Sequence, residues 1–181
     1  MYTIDSVLLS LLAVLVQSLS GAPLDALQAP AGTKAIVFLF TSTDCPISNR
    51  YAPEVRRIAE AFRSKGVAFR LVYPSPSEDA RAIREHMASY SYEGIAEAVR
   101  DPKLALVKFA GATVTPEAVV VVGGKVVYRG RIDDRYVDLG RERPAPTRRD
   151  LFDALTAILD GKPAPLAKTQ AVGCFISDLA R

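Results

Sequence analysis

The chain has 181 residues, of which 49% are hydrophobic and 24% charged, with a formal net charge of +3. That length suits one domain with a sizeable core and is short for two. Seven arginines fall between Arg129 and Arg149, but Asp133, Asp134, Asp138, Glu142 and Asp150 are interspersed with them. The single-sign field of a nucleic-acid surface is therefore missing, and nucleic acid is set aside as a partner.

The first apolar segment, Val7 to Val16 (VLLSLLAVLV), precedes the small residues Ser20 and Ala22. Its length matches the apolar part of a signal peptide and is short for a membrane span. No Lys or Arg precedes it, and Pro23 would follow a cut after Ala22, so a buried N-terminal helix is the competing expectation. Residues 1–22 are thus expected to be a leader or an apolar helix. A membrane would be a partner only if that segment were retained. Export would place the protein in the periplasm or outside the cell, where disulfides persist; the alternative is the cytoplasm.

Pro23 to Gly32 reads as a lead-in. Lys34 to Phe40 (KAIVFLF) is a nearly continuous apolar run of the kind covered on both faces in a parallel sheet. After Thr41–Asp44 a helical pattern begins at Cys45. Val55, Ile58, Ala59 and Phe62 share one face, Pro53 is expected to kink the helix, and Gly66 ends it. Val67–Tyr73 predicts a second strand. Ser77 is the expected N-cap of a helix that buries Ala80, Ile83 and Met87. A short strand is expected near Ala96–Val99. Asp101-Pro102 should then open a helix that runs to Gly111.

Val114-Thr115-Pro116 leads into Ala118–Val122, Gly123-Gly124 signals a hairpin, and Lys125–Arg131 alternates as the return strand. The Arg141–Arg149 stretch is expected to be a solvated loop. Arg148–Leu159 predicts the last helix, and a tail follows it. The order β-α-β-α-β-α-β-β-α predicts an α/β fold: a central mixed sheet flanked by helices, closing on a C-terminal hairpin and helix. The domain would span 23–165, and the tail 166–181 would carry Cys174.

Cys45-Pro46 at the start of a helix puts a thiol where unpaired amides and the helix dipole favour the thiolate. Ser48 lies within reach of the sulfur, Arg50 adds positive charge and Asp44 opposes it. The competing reading is a small buried apolar residue.

Phe38-Leu39-Phe40 running into Thr43-Asp44-Cys45-Pro46-Ile47-Ser48, with Val114-Thr115-Pro116-Glu117 before a hydrophobic strand, resembles the thioredoxin-like superfamily. The nearer likeness is to its redoxin branch of peroxiredoxin-like proteins and extracytoplasmic thiol–disulfide oxidoreductases. It covers roughly Ala31 to Gly161. The resemblance implies that Cys45 is the nucleophile and that Thr115-Pro116 is a cis-proline loop facing it. Three residues depart from the family patterns. Ser48 stands where thioredoxins have a second cysteine, Asp44 where they have tryptophan, and Phe38 where peroxiredoxins have proline. Ser42 fits the peroxiredoxin hydroxyl position.

Cys174 is the remaining cysteine. A tail folding back would let it attack oxidised Cys45; a static bridge or a free thiol are the alternatives. Three functions follow: a thiol–disulfide oxidoreductase, a peroxiredoxin-like thiol peroxidase, or a binding and assembly module with a structural Cys45–Cys174 disulfide. The partners would be protein thiols and disulfides or peroxide, together with an external thiol reductant. No cofactor is expected. The lone His86 is expected at the surface or the boundary of the core, and one cysteine near it is too few for a metal site. Arg129 and Arg131 either face the active-site edge or line a solvated strand.

Overall fold

A computed structural model describes residues 13–176. Its elements are β1 (Leu15–Gln17), β2 (Pro23–Asp25), β3 (Ala35–Phe40), α1 (Pro46–Arg50), α2 (Ala52–Arg63), β4 (Val67–Tyr73), α3 (Ala80–Ser89) and β5 (Glu97–Arg100). They continue with α4 (Ala105–Ala110), β6 (Val114–Thr115), β7 (Glu117–Val122), β8 (Lys125–Gly130), β9 (Tyr136–Asp138), β10 (Arg141–Glu142), α5 (Asp150–Leu159) and β11 (Cys174–Phe175).

Seven strands form one sheet in the order β2-β1-β5-β4-β3-β7-β8. β3, β4 and β5 run parallel, while β7 and β8 return antiparallel. All six residues of β3 are buried, and their side chains alternate between two cores. Val37 and Leu39 meet α2, α3 and α5 on one face, whereas Ile36, Phe38 and Phe40 meet α4 on the other. Burial on both faces is why this strand is a continuous apolar run and does not alternate with polar residues. Each such side chain contributes about 1.5–3 kcal/mol by leaving water.

Several boundaries differ from the sequence expectation. Leu15–Gln17 is a strand, not a helix: Val16 pairs with Leu24 and Gln17 with Pro23 in a hairpin that continues the sheet. Val14 and Val16 are buried in the core, and Pro23–Asp25 is its second strand, not a lead-in. The remainder of the apolar run, Val7 to residue 12, lies outside the described residues. No helix among the described residues is long and apolar enough to cross a membrane.

The helix after Cys45 is broken at Tyr51, and does not merely kink, because Pro53 has no N–H to continue the ladder. Asp79, not Ser77, caps α3 by accepting from the Ala82 amide at 2.8 Å; the Ser77 hydroxyl pairs with Ser75. The helix expected from Pro102 starts at Ala105. Asp101 still caps it, at a distance, by accepting from the Ala105 and Val107 amides at 2.8 Å each, and Leu104 turns through φ 55° between them. The Arg141–Arg149 stretch opens with β10, which pairs with β9 in a short hairpin, and its return is tied down by Asp134, which accepts from the Thr147 and Arg148 amides.

Candidate functional site

β3 ends at Phe40, and the chain turns through Thr41–Asp44 to deliver Cys45 as the N-cap of α1. Opposite stands the short β6, whose Thr115–Pro116 peptide bond is cis. The Cys45 Sγ donates to the Thr115 carbonyl at 3.1 Å.

The tail supplies the third wall. Its first hold is on the edge of β8, where the Arg129 amide donates to Ala167 O and the Thr169 amide to Arg129 O, each at 3.0 Å. The Thr169 hydroxyl accepts from the Arg131 amide. The chain then crosses to β6, where Cys174 pairs with Thr115 and Phe175 with Val114, and the Ile176 amide donates to Thr113 O at 3.0 Å. This path brings the Cys174 Sγ to 3.1 Å from the Cys45 Sγ. Both cysteines are free thiols, since a disulfide bond would be about 2.05 Å long.

The two thiols are electrostatically unequal. Burial works against a charge on Cys45, but the hydroxyl and amide of Ser48, the Cys174 thiol and Thr115 outweigh it and hold Cys45 below its ordinary value. Neither the Ser48 nor the Thr115 hydroxyl has another partner, and both are buried. An orphaned buried hydroxyl is costly beside a neutral thiol and satisfied beside a thiolate. Cys174 is pushed the other way, up to about 11, by burial and by its bond to Cys45. One sulfur is thus prepared to carry the charge and the other to donate a proton to it.

Sequence reasoning placed Cys45, Ser48, Thr115, Pro116 and Cys174, and the fold brings these together. Ser42 is different: its hydroxyl donates to Glu78 at 3.0 Å and accepts from the Asp44 amide. Arg129 pairs with Glu117 at 3.5 Å and donates to the Gly111 carbonyl, and Arg131 pairs with Asp150 at 2.7 Å; neither guanidinium bonds to a sulfur. His86, expected at the surface or the core boundary, is buried at 6% exposure. Its ring nitrogens are engaged by the Tyr73 hydroxyl at 2.8 Å and Asn49 at 2.9 Å, which leaves none for a metal. Glu78 and Asn49 escaped the sequence reading. Glu78 resembled any acidic residue near a helix start, and nothing local marks a side chain whose partners are 36 residues away.

A parallel core extended by an antiparallel hairpin, with a cysteine opening the helix after the first core strand and a cis-proline loop facing it, is the thioredoxin-like fold. The solved structures it resembles include a thioredoxin-like protein from Aeropyrum pernix, with a TM-score of 0.55 at 15% identity, covering 65% of this chain and 80% of that one. An uncharacterized conserved protein from Geobacillus kaustophilus superposes with a TM-score of 0.76 at 23% identity, covering 91% of this chain and 87% of that one. A hypothetical protein from Sinorhizobium meliloti 1021 gives 0.74 at 21% identity, covering 91% and 90%. A secreted Mycobacterium tuberculosis disulfide oxidoreductase homologous to E. coli DsbE gives 0.52 at 19% identity, covering 81% and 94%. No protein-family model matches the sequence, and no curated protein does. At these identities the likeness establishes the fold.

Proposed function

We propose that the protein is a thiol–disulfide oxidoreductase in which Cys45 is the nucleophile and Cys174 the resolving thiol. The observation that carries this is the 3.1 Å approach of two free, unequal sulfurs. The Cys45 thiolate attacks one sulfur of a substrate disulfide, forms a mixed disulfide and expels the other sulfur as a thiolate, which takes a proton. Cys174 then gives up its proton and attacks Cys45 Sγ. The Cys45–Cys174 bond forms, the mixed bond breaks, and the second substrate thiol leaves. The substrate disulfide is reduced by two electrons and the protein dithiol is oxidised by two. An external thiol restores the dithiol, and an oxidised protein runs the same steps in reverse on a substrate dithiol.

Cys45 is 2% exposed beneath the tail, so substrate reaches it when residues 170–176 lift from β6. Protein thiols and disulfides are the substrates this reading assigns, and an extracytoplasmic location goes with it. The apolar run from Val7 and the secreted disulfide oxidoreductase of similar fold support that location. Cleavage after Ala22 would, however, strip β1 and its buried Val14 and Val16 from the sheet. The peroxidase reading loses support because Ser42 is committed to Glu78.

The test is dithiothreitol-driven reduction of insulin. Cys45→Ser should abolish turnover, and Cys174→Ser should accumulate a mixed disulfide on Cys45. Unchanged turnover in Cys45→Ser overturns the proposal. A Cys45–Cys174 bridge that resists mild reductant would instead favour a structural role for the pair.

A further inference from the structure

A second buried polar assembly reaches the Cys45 turn from α3. Glu78, 6% exposed, accepts from the Thr43 amide at 2.5 Å and from the Ser42 hydroxyl. The Thr43 carbonyl accepts from Asn49 Nδ2 at 2.9 Å. Thr43, two residues before the nucleophile, is therefore gripped through both its N–H and its C=O. Asn49 also donates its backbone amide to the Cys45 carbonyl at 3.0 Å, so this one residue spans the turn on both sides of the thiol.

The Asn49 carboxamide is itself held. With Nδ2 donating to Thr43, its Oδ1 faces His86 Nε2 at 2.9 Å, so Nε2 carries the proton. Nδ1 is then bare and accepts from the Tyr73 hydroxyl at 2.8 Å. The chain from Tyr73 through His86 and Asn49 to Thr43 is complete: each donor has one acceptor, in one direction. The rings of Tyr73, Tyr90 and Tyr92 pack around the imidazole. Burial keeps it below its ordinary pKa, and Asp44 is the charged group acting against that.

We propose that Asn49, oriented by neutral His86, is a positioning residue for the Cys45 thiolate; this rests on the reading of Cys45 as the nucleophile. The hydroxyl and amide of Ser48 stabilise the sulfur only while the turn holds it over the start of α1. A displacement of about 1 Å is enough to weaken such an arrangement substantially. The clamp fixes that turn from Tyr73 on β4 and His86 on α3.

The experiment titrates Cys45 by its ultraviolet thiolate absorbance in a Cys174→Ser background. Asn49→Leu and His86→Phe should each raise the midpoint by about one pH unit, a tenfold loss of thiolate near neutrality, with far-ultraviolet circular dichroism unchanged. His86→Gln, which keeps a donor toward Asn49, should recover part of the shift. A merely structural role would lower the melting temperature and leave the midpoint in place. A folded Asn49→Leu protein with the parental midpoint overturns the proposal. If that variant does not fold, parental midpoints in both His86 variants overturn it instead. Turnover surviving in Cys45→Ser would defeat the functional reading without touching this titration, so the two failures are distinguishable.

Discussion

Gly173 is where the tail's hold on the site is most sharply exposed to a single methyl group. A Cβ added there would sit 2.0 Å from the Thr115 carbonyl oxygen and 2.6 Å from its carbon, with the Pro116 nitrogen at 3.1 Å. The Thr115 atoms are backbone of β6, whose neighbouring Thr113 and Val114 amides are held by the Glu117 carboxylate, so they cannot swing aside as a side chain would. The tail must move instead. Overpacking of this kind costs about 1–3 kcal/mol. The tail's first hold, Thr169 against Tyr128 and Arg131, lies upstream of the clash, so the strain falls on residues 170–176 and not on the sheet. If Cys45 is alkylated only when that segment lifts, its rate follows the lifted population. It should then rise by about 5- to 150-fold in Gly173→Ala, at tenfold per 1.36 kcal/mol. The assay is iodoacetamide labelling of the fully reduced protein, with Cys45 located by peptide mass mapping and the thermal midpoint measured alongside. A Gly173→Ala protein that labels no faster than wild type would refute the claim that the tail guards Cys45.

Two further predictions concern the frame. Asp134 accepts from the Thr147 and Arg148 amides and the Thr147 hydroxyl; these bonds and Arg143 outweigh its burial and bring its pKa down to about 2. A depressed folded-state pKa gives stability that is present above the ordinary carboxylate value and lost as pH falls toward about 2. Melting temperatures of Asp134→Asn and wild type should therefore differ at neutral pH and converge in acid; a constant difference would contradict the assignment. Asp101→Ala should cost about 1–2 kcal/mol by urea unfolding, because two amides at the start of α4 lose their acceptor, whereas a change within error would show the cap to be replaceable by water.

The strands that carry the site were legible one by one. Val67–Tyr73 is both the apolar run and the observed strand, and Gly123-Gly124 marks the hairpin between β7 and β8. A chain segment covered on both faces, or turned in two residues, has its reason within its own few residues. The helix start at Cys45-Pro46 was local in the same sense. What no window of sequence contained were the meetings between distant segments. Cys45 and Cys174 lie 129 residues apart, and their contact depends on a tail that must first dock on β8 and then cross to β6. His86 looked like a surface or boundary residue because its partners, Tyr73 and Asn49, come from β4 and α1. Val14 and Val16 looked like part of an apolar leader because their strand partners and the core they fill are assembled from elsewhere in the chain. Local periodicity determined the central strands and the helix start that presents the Cys45 thiol. Only tertiary pairing decided which hydroxyls, amides and second sulfur surround it, because hydrogen bonds and burial between remote segments exist only once the sheet has closed.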